Sequence, residues 1–391
     1  MYLRYGVLLS VFYTITLARE SLIVQCDWGD KLYITGINYT WPSYKEYQQA
    51  VENRSFAQDF NTLEEMKFWK DNMYVAMEPW RSGGVPVALA MTPVSILSST
   101  KTPRLKPYPN WEMQKVGGDC SGFQAILGIE IDPMGRLWVL DSGYFSNCGP
   151  RLLILDLEDG GKVLMSYSIP SKLISCDDPR RIPTSSEIVL DHEDGGFAYI
   201  KFGRCSDIIV FSLKNRTSWK FSYFNNLLQL AVSPADSEGN RKLYCIAGMY
   251  APKVFEVSTR ALKDKTLHSN INQEVKELGW APSKSNEITI SNKGIMFVTT
   301  HKPMSFYKWE LNSVSFNRTR FKYKKGEMYF DLFKPTFDER GNLWFKSTRG
   351  LALLSINLKI EKIYSYQYYG NGSMPKLPVI TDDAWNNRTA P

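Results

Sequence analysis

The sequence predicts an all-β protein, a six-bladed β-propeller with a central channel and a short N-terminal helical segment. Three observations predict it. A unit of apolar strand, glycine-bearing turn and aromatic-rich strand recurs five times along the 391 residues. The recurrence runs at about the length of a four-stranded blade with variable loops. No low-complexity linker divides the chain.

The elements follow in chain order. Residues 5–18 are apolar, preceded by Arg4 and followed by Arg19 and Glu20. A short apolar run behind a basic residue reads as a secretory signal peptide over residues 1–18, too short for a membrane span. Residues 19–391 are then expected to form one domain with no transmembrane segment. Lys31–Tyr39 is a strand candidate able to close the ring against the last blade. Residues 43–70 carry helical spacing, with Tyr44, Tyr47 and Val51 followed by Phe60, Leu63 and Met66. A divergent unit around Met73–Thr92 is counted as one blade.

The five clear copies centre on Gly135, Gly195, Gly239, Gly294 and Gly341, at intervals of 60, 44, 55 and 47 residues. The first is Gly128-Ile-Glu-Ile-Asp-Pro-Met-Gly-Arg-Leu-Trp-Val-Leu140, and the fifth is Phe337-Asp-Glu-Arg-Gly-Asn-Leu-Trp-Phe345. Asp or Ser opens each turn and Gly supplies positive φ. Third strands follow at Leu152–Leu157, Ile208–Leu213 and Leu353–Leu358, and fourth strands at Val163–Ser168 and Ile363–Gln367.

Composition narrows the chemistry. The chain is 43% hydrophobic, 14% aromatic and 22% charged, with a formal net charge of +7 spread along its length. It shows neither a basic stripe nor an RNA-binding signature, so nucleic acid is not an expected partner. The three histidines, His192, His268 and His301, are far apart, and no zinc-protease, nucleophile-elbow, phosphate-loop or dinucleotide motif occurs. Asp191-His-Glu-Asp-Gly195 lacks calcium-loop spacing and reads as a blade turn. No metal or cofactor is expected. Six cysteines (Cys26, Cys120, Cys148, Cys176, Cys205, Cys245) suit an exported, disulfide-bonded chain, with connectivity left open. Sequons at Asn38, Asn53, Asn215, Asn317, Asn371 and Asn387 are candidate glycosylation sites.

Candidate binding residues come from the blade pattern. First strands of propeller blades face the axis, and here they hold Glu130, Glu187, Gln229, Glu287 and Asp331 at like positions. An acidic ring inside a basic protein would favour a small organic cation. Aromatics of the second strands, Trp138, Tyr199, Tyr244, Phe297, Trp344 and Phe345, belong chiefly to the core between blades, with one or two able to contact a ligand.

Asp119-Cys-Ser-Gly122, Leu137-Trp-Val-Leu-Asp-Ser-Gly143 and Cys148-Gly-Pro-Arg-Leu-Leu-Ile-Leu-Asp-Leu157 together resemble the yellow/major royal jelly proteins of insects. Gly84-Val-Pro-Val-Ala-Leu89 and Pro107-Tyr-Pro-Asn-Trp111 add to the resemblance, which covers about residues 60–360. It implies a secreted six-bladed propeller and a Cys120–Cys148 bridge. The chain departs from the family at Met134 and near His192, where relatives carry cysteine, implying that one bridge is missing as a pair. Salivary members of the family hold biogenic amines such as serotonin with an Asn-x-aromatic element. Asn342-Leu-Trp344 looks like that element, with Asn342 bonding and Trp344 stacking on the ligand, and Thr336, Phe337 and Phe345 as neighbours. The expectation is a monomeric secreted glycoprotein binding a small aromatic amine without catalysis. The alternatives are a dopachrome-converting tautomerase of melanin chemistry, or a structural, nutritive or signalling protein.

Overall fold

The computed structural model describes residues 23–25, 31–34 and 36–357, the last with interruptions at 78–82, 117, 144–145, 175–185, 193, 204, 249–250, 267–270, 282–284, 301–304, 314–318, 323–331 and 348–350. The expected signal segment 1–18, the expected strand at Ile363–Gln367, Asp331, Cys26, Cys176, His268, His301 and the sequons Asn317, Asn371 and Asn387 lie outside the described residues.

The described strands form six sheets built largely from antiparallel neighbours in sequence. Sheet I comprises Leu63–Trp69, Asn72–Met77, Leu89–Pro93 and Arg104–Pro107. Sheet II comprises Ile126–Ile131, Arg136–Asp141, Arg151–Asp156 and Lys162–Ser168. Sheet III runs Glu187–Asp191, Phe197–Lys201, Asp207–Ser212 and Thr217–Ser222. Sheet IV runs Leu227–Val232, Lys242–Ala247, Lys253–Ser258 and Val275–Trp280. Sheet V holds Ser285–Ile290, Ile295–Thr300, Ser305–Glu310 and Thr319–Lys322. Sheet VI holds Leu332–Phe337, Asn342–Ser347 and Leu351–Asn357. The first strand of each sheet touches the first strand of the next, and that of sheet VI returns to sheet I. This is an all-β propeller with few helices.

The local chemistry explains the hairpins. The five repeat glycines have φ between 69° and 89°, a region that a side chain disfavours. In sheets II and VI an aspartate braces the same turn. Asp132 accepts the Met134 and Arg136 N–H groups, and Asp338 those of Arg340 and Asn342. The apolar core lies between neighbouring sheets. Trp138 with Leu190 and Phe211 joins II to III, and Tyr199 with Leu230 and Cys245 joins III to IV.

The N-terminal chain runs along the outside. Ile23–Gln25 pairs in parallel with Thr319–Lys322 of sheet V. Lys31–Ile34 supplies the fourth strand of sheet VI, pairing antiparallel with Leu351–Leu354 as the ring-closing reading expects. Asn38–Tyr39 departs from that reading: it pairs in parallel with Arg104–Leu105 of sheet I. The helical expectation for 43–70 holds only at its start. The helix spans Tyr44–Glu52, capped by Ser43, whose Oγ accepts the Glu46 N–H. Gln58–Phe60 is a short 3-10 turn, and Leu63–Trp69 is an inner strand. That strand is covered on both faces, so Leu63, Glu64, Glu65, Met66 and Phe68 are all buried and the alternation that marks a strand is absent. Among the described residues no helix is long and apolar enough to cross a membrane.

Candidate functional site

The first strands of all six sheets line one small axial cavity of about 40 Å3. Sheet I contributes Glu65, Met66 and Lys67, sheet II Glu130, and sheet III Glu187. Sheet IV contributes Leu230, sheet V Glu287 and Thr289, and sheet VI Lys334 and Thr336. The axial positions are reached through irregularities in the pairing. Register shifts interrupt the first strands of sheets I, II, IV, V and VI. At the shift in sheet VI, Lys334 has φ 49°, which re-aims its side chain as bulges do.

Three glutamates join neighbouring sheets by accepting a backbone N–H from the next first strand. Glu65 Oε2 takes Ile129 N at 3.1 Å and Glu187 Oε2 takes Leu230 N at 2.8 Å, while Glu287 takes Lys334 N. Lysines thread between them. Lys67 Nζ lies 2.8 Å from Glu130 and 3.4 Å from Glu65. Lys334 Nζ stands 3.9 Å from both Glu64 and Glu287, and Lys346 Nζ stands 3.9 Å from Glu64. The wall is therefore a mixed charge network rather than an acidic ring.

Burial and pairing pull the protonation states apart. Burial works against the Lys67 ammonium, but Glu130 and Glu65 outweigh it and hold the group above its ordinary range. Lys334 is held high in the same way, chiefly by Glu287 and Glu65. Burial raises the Glu130 and Glu287 carboxyls, partly offset by Lys67 and Lys334 respectively. Glu187 differs. Burial pushes it up to about 7, against the pull of Lys201 and Lys334. Burial pushes Lys201 down to about 8, opposed by Glu187. Among the described residues Glu187 has no ion-pair partner, and its only hydrogen bond is the one from Leu230 N. It is the wall carboxylate with capacity left for a ligand.

The sequence-predicted residues divide. Glu130, Glu187, Glu287 and Thr336 meet at the cavity. Gln229 sits half-buried in its strand and is not among the lining residues. Asn342, Trp344 and Phe345 also lie off the cavity wall. Asn342 Nδ2 donates to Asp338 Oδ2 at 2.7 Å and Trp344 Nε1 donates to the same oxygen at 2.8 Å. The Trp344 ring is 2% exposed and packs 5.4 Å from Phe68; Phe337 and Phe345 are fully buried. Sheet II repeats the arrangement: Arg136 Nε and Trp138 Nε1 donate to Asp132 Oδ2 at 2.6 and 2.8 Å. Asn342-Leu-Trp344 thus works as a hairpin brace here.

Sequence reasoning missed Glu65, Lys67 and Lys334. Glu65 was hidden by the helical reading of its strand. Lys334 reaches the axis only through the bulge, which no residue pattern announces.

Cys120 and Cys148 are bridged, with Cα atoms 5.5 Å apart, and Arg151 Nη1 donates to Cys120 O at 2.6 Å. Cys205 is also disulfide-bonded, whereas Cys245 is a buried free thiol. His192 is buried, and burial with Arg241 nearby pushes it down to about 4. Among the described residues no group of three or more His, Cys, Asp or Glu side chains is placed to hold a metal ion. The sequons Asn53 and Asn215 are exposed and Asn38 is half-buried.

A ring of four- and five-stranded sheets around a charged axial cavity defines a β-propeller with an axial site. The sequence profile described as "Major royal jelly protein" matches residues 124–227 and 220–345, and the chain belongs to this family, which it shares with the yellow proteins. It is 33% identical over 141 residues to Major royal jelly protein 3 of Apis mellifera, covering 35% of this chain and 25% of that protein. It is 23% identical over 260 residues to Protein yellow of Drosophila yakuba, covering 59% and 47% of the two chains. It is 25% identical over 205 residues to Dopaminechrome tautomerase of Drosophila melanogaster, covering 48% and 42%. The matches thus span between a quarter and a half of these relatives' lengths.

Proposed function

We propose that residues 19–391 form a single, monomeric, secreted and glycosylated six-bladed propeller that binds a small amine, such as serotonin or a catecholamine, in its axial cavity. The blade count is supported by the six sheets and by their shared cavity. Export is supported by the Cys120–Cys148 bridge, since disulfides persist in oxidising compartments. The observation that carries amine binding is Glu187. Among the described residues Glu64, Glu65, Glu130, Glu187 and Glu287 interact with Lys67, Lys201, Lys334 and Lys346, five carboxylates with four amines. An organic ammonium would balance the fifth carboxylate. Equilibrium dialysis against serotonin, dopamine and histamine tests this. Retention of at least one amine is expected, with Glu187→Gln weakening it about tenfold or more, the range of a charged hydrogen bond. No retention of any amine would refute the reading.

A second reading, a dopachrome-converting tautomerase, is favoured by one observation. Glu187 faces Lys201 across its hairpin, and burial raises the carboxyl while lowering the amine, which brings the two groups toward a shared proton. The relative named Dopaminechrome tautomerase agrees with it. Following dopachrome absorbance discriminates: this reading requires faster decay with protein, reduced about 100-fold in Glu187→Gln. An unchanged decay rate would remove it.

A further inference from the structure

The aromatic residues gather at a second place, away from the axis. Trp41 and Trp111 lie with ring centroids 4.8 Å apart, over the buried rings of Tyr39 and Phe56. Both indole N–H groups turn toward the same tripeptide, Asn38-Tyr-Thr40. Trp41 Nε1 donates to Asn38 Oδ1 at 2.9 Å, and Trp111 Nε1 donates to the Thr40 carbonyl at 2.9 Å. Asn38 Oδ1 also accepts the Tyr39 N–H at 2.7 Å. The Asn38 amide is thereby fixed by its oxygen. Its nitrogen Nδ2, the atom that N-glycosylation modifies, donates to no described residue although the side chain is half-buried. That nitrogen is not among the buried unsatisfied polar atoms and stays accessible from solvent. Trp41 and Trp111 keep part of their surface open to solvent beside this nitrogen, and Thr40 is exposed.

We infer that Asn38 carries an N-linked glycan and that its first N-acetylglucosamine lies against the Trp41–Trp111 pair. The chain's own sugar then covers this aromatic face. The apolar C–H face of a pyranose matches a flat indole surface, and the doubly held Oδ1 fixes the direction in which the sugar leaves. This rests on reading the chain as exported. It goes beyond that reading by assigning one sequon an ordered, structural sugar, where Asn53 only caps the Ser55 N–H at 2.9 Å at the end of its helix.

The test uses the full chain secreted from insect cells. Glycopeptide mapping is expected to find Asn38 occupied. Thr40→Ala abolishes the sequon but keeps both indole bonds, because they use the Asn38 side chain and the backbone carbonyl of residue 40. Hydroxyl-radical footprinting should then show Trp41 and Trp111 oxidised several-fold faster in Thr40→Ala, and in enzymatically deglycosylated parent, than in the glycosylated protein. An Asn38 peptide that stays bare while Asn53 or Asn215 carries sugar overturns the inference. So does an occupied Asn38 with unchanged oxidation of the two indoles. If no sequon at all is occupied, the export reading falls and the inference falls with it.

Discussion

At the residue scale, Asp338 and Glu187 show how like-looking side chains serve opposite ends. Asp338 gathers four donors: the Arg340 and Asn342 N–H groups, Asn342 Nδ2 and the Trp344 indole. Asp338→Ala strands them in a buried hairpin and should cost about 3 kcal/mol in urea unfolding. Trp344→Phe keeps the ring and loses one bond. It should cost about 1 kcal/mol and leave amine affinity unchanged, and a weakened affinity would return Trp344 to the site. The pattern Asn342-Leu-Trp344 was legible in the sequence, and two-residue spacing put both side chains on one face. What they face was not legible, because the brace depends on where the preceding strand delivers Asp338. Glu187 destabilises instead. Its folded pKa, about 7, stands above the ordinary 4.5, so its contribution is full below about 4.5 and is lost as pH rises through 7. Glu187→Gln should therefore melt higher than the parent at pH 8 and gain little at pH 5, measured by thermal denaturation. Such a charged group is kept at the expense of stability, as expected of a functional position.

At the element scale, the hairpins of sheets II to VI were readable because an aspartate or serine and a glycine punctuate each one. Sheet I was not, because its turn at Lys70–Asp71 uses positive φ without glycine, at 46° and 59°. Its first strand is also covered on both faces, so its exposure does not alternate. The N-terminal strands were half-legible: a strand can be seen in Lys31–Tyr39, but its split between sheets VI and I depends on the path around the ring. Lys31–Ile34 covers the outer edge of Leu351–Asn357. Deleting residues 19–34 should expose that edge, lower the melting temperature and promote aggregation in light scattering. Unchanged melting would show that this strand is dispensable for closure.

At the scale of the whole molecule, a formally basic chain encloses an axis where, among the described residues, carboxylates slightly outnumber amines. The ring makes this possible, since each first strand delivers side chains to a space no single sheet encloses. Glu130, Glu187 and Glu287 were visible as repeats, whereas Glu65 and the lysines that neutralise most of these carboxylates were not. The central claim is that one carboxyl, Glu187, is left to take an amine. Calorimetric titration of the retained amine at pH 7, in two buffers of different ionisation heat, measures it most directly. Pairing with an ammonium favours the ionised form of a carboxyl that burial raises, so protons should be released as amine binds in the parent and none in Glu187→Gln. Equal affinity and equal proton release in both proteins would contradict the account.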